Sequence, residues 1–268
     1  MKKADLKGKL AVVTGASSGI GLCFCRELAR RGCSLLMVSN QEKELAHYSA
    51  EIEEQTGADV YTLNLDLTDA GSAAKMIEFL DAQELQADYL INNAGIFSFR
   101  SVVDTSESKI DCFLKLHVAA VTDISRLFAL RFKERGEGRI LNMSSMSCWM
   151  PMPGIALYAA TKAYIRVFSR ALYYEMKDYG VTVTVACPGG IATDLFGLPD
   201  NLKRLAVRLG ALDTPESFTC KAINRMLKGK KQYINGILNR ISIVAVSLLP
   251  TSVRMLIKHK MLDRNIIR

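Results

Sequence analysis

The chain has 268 residues, 49% hydrophobic and 23% charged, a composition that excludes a disordered chain and fits one α/β domain with a sizeable core. Its net charge of +8 is uneven: residues 203–268 carry 14 Lys and Arg against 3 Asp and Glu. Basic character therefore belongs to the last quarter, where it reads as a solvated face or an anionic-membrane surface, and no nucleic-acid partner is expected.

The start, MKKADLKGKLAVVTG, runs from basic residues directly into a strand and lacks the apolar core of a signal sequence, so a cytoplasmic protein is expected. Short apolar runs then alternate with amphipathic segments: LAVVT, SLLMVS, DVYTLNL, DYLINN, GRILNM and VTVTVA. This alternation predicts βαβ units in a doubly wound, Rossmann-type parallel sheet with helices on both faces, as a single domain over 1–268. Seven Cys without a Cys-x-x-Cys or Cys/His spacing predict reduced thiols and no metal site.

The first strand ends in TGASSGIG, Thr14 to Gly21. Gly15, Gly19 and Gly21 allow a tight turn and close approach to a pyrophosphate. Ser17, Ser18 and Ile20 complete a cradle at the N-terminus of the helix that follows. Further on stand Asp66 in LDLTD, NNAG at Asn92–Gly95, and PGG at Pro188–Gly190 with Thr193 close behind.

This spacing, G-x-x-x-G-x-G with its later landmarks, resembles the short-chain dehydrogenase/reductase family over about residues 8–195. The resemblance implies a nicotinamide dinucleotide cofactor, with Asp66 and Leu67 on the adenine side. Asn93, Ala94 and Gly95 would line the cleft, and Pro188, Gly189, Ile191 and Thr193 would form the nicotinamide side.

Two Tyr-x-x-x-Lys pairs compete for the catalytic role: Tyr158/Lys162 in YAATK and Tyr173/Lys177 in YYEMK. The family places a Ser thirteen residues before its catalytic Tyr. Ser145 meets that step for Tyr158, whereas Ala160 stands there for Tyr173. Ser145, Tyr158 and Lys162 are therefore expected to be catalytic, with Tyr158 and Lys162 also contacting cofactor and Ser145 the substrate oxygen. Residues four apart share one helical face, and a nearby ammonium favours the phenolate.

The chain departs from the family pattern at three places. His117 occupies the position of the family's proton-relay Asn; an imidazole can hold a water or pass a proton and titrates near neutrality when free, while a satisfied packing role is the alternative. The second strand ends in Ser39 and Asn40, with no acid to repel a 2′-phosphate and Lys43 nearby, which favours NADP(H) over NAD(H). The C-terminus, a basic amphipathic segment over about 238–268, resembles hydroxysteroid dehydrogenase and 3-ketoacyl reductase members. Its longest apolar run, ISIVAVSLL, is about half a bilayer span, so at most peripheral membrane contact is expected.

Trp149 and Met150 near Ser145, with Leu195 and Phe196 in a lid over about 190–214, point to a sizeable apolar substrate such as a steroid, bile acid or acyl chain. A homo-oligomer, dimer or tetramer, is expected. Two alternatives stay open: a non-catalytic dinucleotide-binding sensor or scaffold, and a nucleotide-sugar epimerase or dehydratase.

Overall fold

The computed structural model describes residues 5–191 and 212–262. Thr193, Leu195, Phe196 and most of the expected lid lie outside the described residues.

The six apolar runs form parallel strands: β1 (Leu10–Thr14), β2 (Ser34–Ser39), β3 (Val60–Asn64), β4 (Tyr89–Asn92), β5 (Gly138–Met143) and β6 (Val181–Ala186). A seventh, β7 (Gln232–Tyr233), has only two residues. It is too short to leave a periodic pattern, and the sequence reading missed it. The order is β3-β2-β1-β4-β5-β6-β7, every pair parallel. Val12 of β1 lies between Leu36 and Leu90.

Successive residues of β1 face opposite sides of the sheet. Ala11 and Val13 pack on α1 (Gly19–Ala29) and, further round the same cluster, α2 (Glu42–Thr56) meets the sheet through Leu45 and Ile52. Leu10 and Val12 belong to the opposite cluster, with Met76 and Leu80 of α3 (Ser72–Ala82). Both faces are thus buried, which is why the strands read as continuous apolar runs.

On that second face, α4 (Glu107–Leu114) passes through a π-helical turn, Lys115–Ala120, into α5 (Val121–Arg135). Phe128 and Phe132 of α5 are almost fully buried, each contributing about 1.5–3 kcal/mol by removal from water. The long α6 (Ala156–Met176) lies beside α5 and packs Leu172 and Met176 into the same cluster. On the first face, α7 (Pro215–Leu227) packs against α1, capped by the Thr214 hydroxyl, which accepts from the Ser217 amide. Two further helices, α8 (Ile237–Ser247) and α9 (Thr251–Ile257), complete the described chain.

Strand order reverses between β1 and β4, because β2 leads away from β1 on one side and β4 joins it on the other. A sheet of this type opens a crevice beyond the carboxyl ends of its strands at that point.

Candidate active site

The turn after β1 leaves no room for a side chain at Gly15 or Gly21. Gly15 and Gly19 adopt positive φ, +64° and +52°, which other residues rarely do. A Cβ on Gly21 would come within 1.9 Å of the Gly15 carbonyl oxygen, and one on Gly15 within 2.9 Å of Ala94 Cα. Helix α1 starts at Ser18 without a side-chain cap and has no acid in its first turn. Its free amides and positive dipole end suit a phosphate.

The Thr14 hydroxyl accepts from the amides of Asn93 (3.0 Å) and Ala94 (3.1 Å). The Asn93 side chain donates back to the carbonyls of Thr14 and Gly15. The ends of β1 and β4 are thus stitched together beneath the crevice. Deeper in, Asn92 Nδ2 donates to Asn142 Oδ1, and Asn142 Nδ2 donates to Ser169 Oγ, tying β4, β5 and α6 in a buried chain.

At the end of β2, Ser39 is buried with its hydroxyl 2.8 Å from that of Ser17, which donates to Gln41 Oε1. Gln41 escaped the sequence reading; its only signal is its place just past the strand end. Asn40 donates to Asp66, whose carboxylate also accepts from the Thr68 amide and hydroxyl; these bonds hold its pKa below the usual range. Leu67 beside it is buried. Lys43 is exposed in the first turn of α2, flanked by Glu42 and Glu44.

Past β6, the Gly189 amide donates to Asn235 Oδ1 (2.7 Å), and a Cβ on Gly189 would collide with the Asn239 side chain. The Pro188 carbonyl accepts from the Met146 amide, and Ile191 is buried, bridging to Asp213. Asn235 and Asn239 were also missed by sequence reasoning, since a clamp by a distant side chain leaves no local pattern.

Ser145 caps a short 3₁₀ turn, Met146–Trp149, by accepting from the Ser147 amide. Its hydroxyl lies beside the Tyr158 phenol and opposes the effect of burial on that group. Tyr158 is 8% exposed and lies edge-on to the Phe97 ring, centroids 5.0 Å apart. Lys162, one turn along α6, donates to the Met143 carbonyl at 3.0 Å. Ser144 anchors the same turn by donating to the Lys162 carbonyl.

Burial dominates the titration of this pair. It pushes Tyr158 up to about 12, against the opposing effect of Ser145, and Lys162 down to about 8. The expected lowering of the phenol by Lys162 is thus not the prevailing effect, with the Lys162 ammonium 5.7 Å from the ring centroid.

The His117 imidazole is pushed down to about 2 by burial, followed by the charge of Lys162.

Of the expected substrate residues, Met150 is buried. The Trp149 ring packs under the Arg166 guanidinium at 4.4 Å, one turn beyond Lys162. The aromatic neighbour of the phenol is instead Phe97, in the loop after NNAG, and Phe99 of the same loop meets Gly154. Their signal was present in the run IFSF, which the strand-by-strand reading passed over.

A family model described as short chain dehydrogenase matches residues 9–200. The chain is 31% identical over 252 residues to the very-long-chain 3-oxoacyl-CoA reductase of Anas platyrhynchos, covering 91% of this chain and 77% of that one. It is 32% identical over 194 residues to the 17-beta-hydroxysteroid dehydrogenase type 3 of Mus musculus, covering 70% and 62%. Among solved structures, a 7beta-hydroxysteroid dehydrogenase superposes with TM-score 0.84 at 25% identity, covering 97% and 100%. A short-chain dehydrogenase from Sphingobium yanoikuyae in complex with NADPH gives 0.76 at 25%, covering 94% and 96%. With the glycine turn, the stitched strand ends and the Tyr158–Lys162 helix in place, the chain belongs to the short-chain dehydrogenase/reductase family, oxidoreductases that move a hydride between a nicotinamide cofactor and a ketone or secondary alcohol.

Proposed function

We propose that this protein interconverts a ketone and a secondary alcohol on a sizeable apolar substrate of steroid, bile-acid or 3-ketoacyl type, using NADP(H) in preference to NAD(H). The observation that carries the reading is the buried pair on one turn of α6, Tyr158 with Ser145 beside its phenol and Lys162 held by the Met143 carbonyl. When bound, the cofactor supplies or accepts the hydride. The protein's residues handle the proton and the developing charge. Ser145 donates to the substrate oxygen and orients it. Tyr158, protonated at neutral pH, gives its proton to that oxygen during reduction and takes one during oxidation. Lys162 holds positive charge below the phenol, and its donor reach suits the ribose hydroxyls. Phe97 and Phe99 supply apolar surface beside the phenol.

The NADP(H) preference rests on the neutral end of β2, where Ser39, Asn40 and Gln41 present no carboxylate to a 2′-phosphate. Rates should be followed by nicotinamide absorbance with ketosteroids, 7-keto bile acids and 3-ketoacyl thioesters, using NADPH and NADH in parallel. Turnover of one of these classes with higher kcat/KM for NADPH is expected. A tenfold preference for NADH would overturn the cofactor assignment, and no turnover of any apolar ketone would overturn the substrate class.

The same reading includes a peripheral lipid contact and a homo-oligomer, dimer or tetramer. Ile237, Ile241 and Val244 are exposed along one face of α8, and Leu248, just past its end, is exposed too. The helix abuts the Met146–Trp149 turn, so its apolar stripe adjoins the site. Arg240 and Lys260 are exposed nearby, suited to anionic headgroups. Among the described residues no single helix is long and apolar enough to cross a membrane; α8 and the α9 segment pass only as a pair bent by 108°. Co-sedimentation with anionic vesicles at low salt, lost at high salt and absent with neutral vesicles, is expected. Burial of the stripe between two copies, seen as a dimer by sedimentation without vesicle binding, would overturn the lipid contact.

A further inference from the structure

We infer that His117 is a positioning residue: a neutral imidazole that braces the Tyr158 turn of α6 against the end of β4, with no proton to relay. The inference rests on the assignment of Tyr158 as the group that exchanges the substrate proton.

His117 lies in the π-helical turn between α4 and α5 and is fully buried. Such a turn inserts an extra residue into the helical ladder and re-aims the side chains around it. Here it directs the ring into the gap between β4 and α6, edge-on to Phe113 and to Tyr158.

Both ring nitrogens are spent, and their partners fix which one carries hydrogen. The Ile96 backbone amide lies 3.0 Å from Nε2. An amide can only donate, so Nε2 is the bare nitrogen. Thr161 Oγ1 lies 3.0 Å from Nδ1 and gives its own single proton to the Tyr158 carbonyl, at 2.9 Å. It can therefore only accept from the ring, and Nδ1 carries the hydrogen. The result is a continuous line of hydrogen bonds: Ile96 amide to His117, His117 to Thr161, Thr161 to the backbone of Tyr158.

Charging the ring would require a second proton on Nε2, which already faces an amide. The titratable groups facing the ring from α6 are Tyr158 and Lys162, and on the β4 side the contacts are backbone. A Cβ on Gly95 would fall 2.9 Å from His117 Nε2 and 3.4 Å from Lys162 Nζ. The imidazole and the ammonium thus flank the same glycine and leave no room there for a side chain. Through Thr161, His117 holds the backbone end of Tyr158. A relay would need a nitrogen free to hold water or exchange a proton, and none is left.

The test combines a spectroscopic and a kinetic arm. In the intact protein labelled with ¹⁵N-histidine, the buried His117 is expected to show one protonated and one bare ring nitrogen, unchanged from pH 5 to 9. Assignment comes from the spectrum of His117→Asn. Titration within that range, or hydrogen on Nε2, overturns the inference, and this arm does not depend on any catalytic assignment.

In steady state, His117→Leu and Thr161→Val should each lower kcat about tenfold through misplacement of the phenol. KM for the cofactor should stay within a few-fold, the pH-rate inflections should not move, and the double variant should be no worse than either single one. Wild-type kcat in Thr161→Val, or an inflection lost only in His117→Leu, overturns the brace. Should Thr161→Val fail to fold, Thr161→Ser keeps the hydroxyl and must retain wild-type kcat.

Discussion

At the N-terminal end of α6, Tyr158 and Lys162 are 8% and 5% exposed, whereas at its C-terminal end Tyr173 is half-buried and Lys177 stands in solvent beyond the last helical residue, Met176. Both pairs have the same four-residue spacing. Their surroundings differ: the first turn is held by Ser144, Thr161 and the Met143 carbonyl, while Tyr173 packs sideways against Tyr174 and the second apolar cluster. Sequence spacing on a helix sets which residues share a face. What the face meets decides whether the pair does chemistry.

The largest effect that tests this contrast is Tyr158→Phe. It removes the transferable proton and leaves the ring that lies edge-on to Phe97. Turnover should fall by about 10³-fold or more, within the range general acid–base catalysis contributes, while NADPH still binds, as measured by fluorescence titration. Activity within tenfold of wild type would mean that another group carries the proton.

The nucleotide half was largely legible in the sequence because its constraints are steric and backbone-borne. Gly15 and Gly21 are where they are because a Cβ cannot fit, and a glycine is visible in any sequence. Ser145 was legible only through its thirteen-residue step from Tyr158, which the family resemblance supplied. What stayed hidden are side-chain clamps between distant segments. Asn235 holding Gly189, Gln41 holding Ser17, and Thr161 bridging His117 to Tyr158 all depend on which elements the fold brings together. The surroundings of His117 were hidden for a related reason: residue type alone left a relay and a packing role open, and only the fold shows its burial beside Lys162. β7 was invisible because two residues carry no period.

The next effect sharpens the cost of burying the first pair. Burial lowers Lys162 from 10.5 to about 8, equivalent to about 3 kcal/mol against the charged form. Between pH 8 and 10.5 the unfolded chain binds this proton and the folded chain does not, so the contribution to stability rises with pH through that window. The full cost applies below pH 8. Lys162→Met should therefore lose about 10²-fold or more in turnover and yet show an equal or higher thermal midpoint than wild type at pH 7. That advantage should shrink by pH 10. A midpoint lowered by several degrees at pH 7 would show that the bond to the Met143 carbonyl outweighs desolvation. In the wild type, ketone reduction should decline as pH rises through about 8, since the phenol keeps its proton while Lys162 loses its charge.

The smallest expected effect lies at the other end of the helix. Tyr173→Phe removes a hydroxyl from a half-buried ring and leaves its packing against Tyr174 unchanged. Lys177 sits in a separate 3₁₀ turn, Lys177–Tyr179, rather than continuing the helical face. The hydrogen bond nearby belongs to Tyr174, whose hydroxyl accepts from Lys231. Tyr173→Phe should therefore keep kcat and KM within a few-fold of wild type and shift stability by about 0.5 kcal/mol or less, read from a denaturant midpoint. The pairing of results carries the argument: Tyr158→Phe inactive and Tyr173→Phe active assigns the chemistry to the buried turn. Comparable losses in both would show that the shared spacing, and not the surroundings, had been the deciding feature.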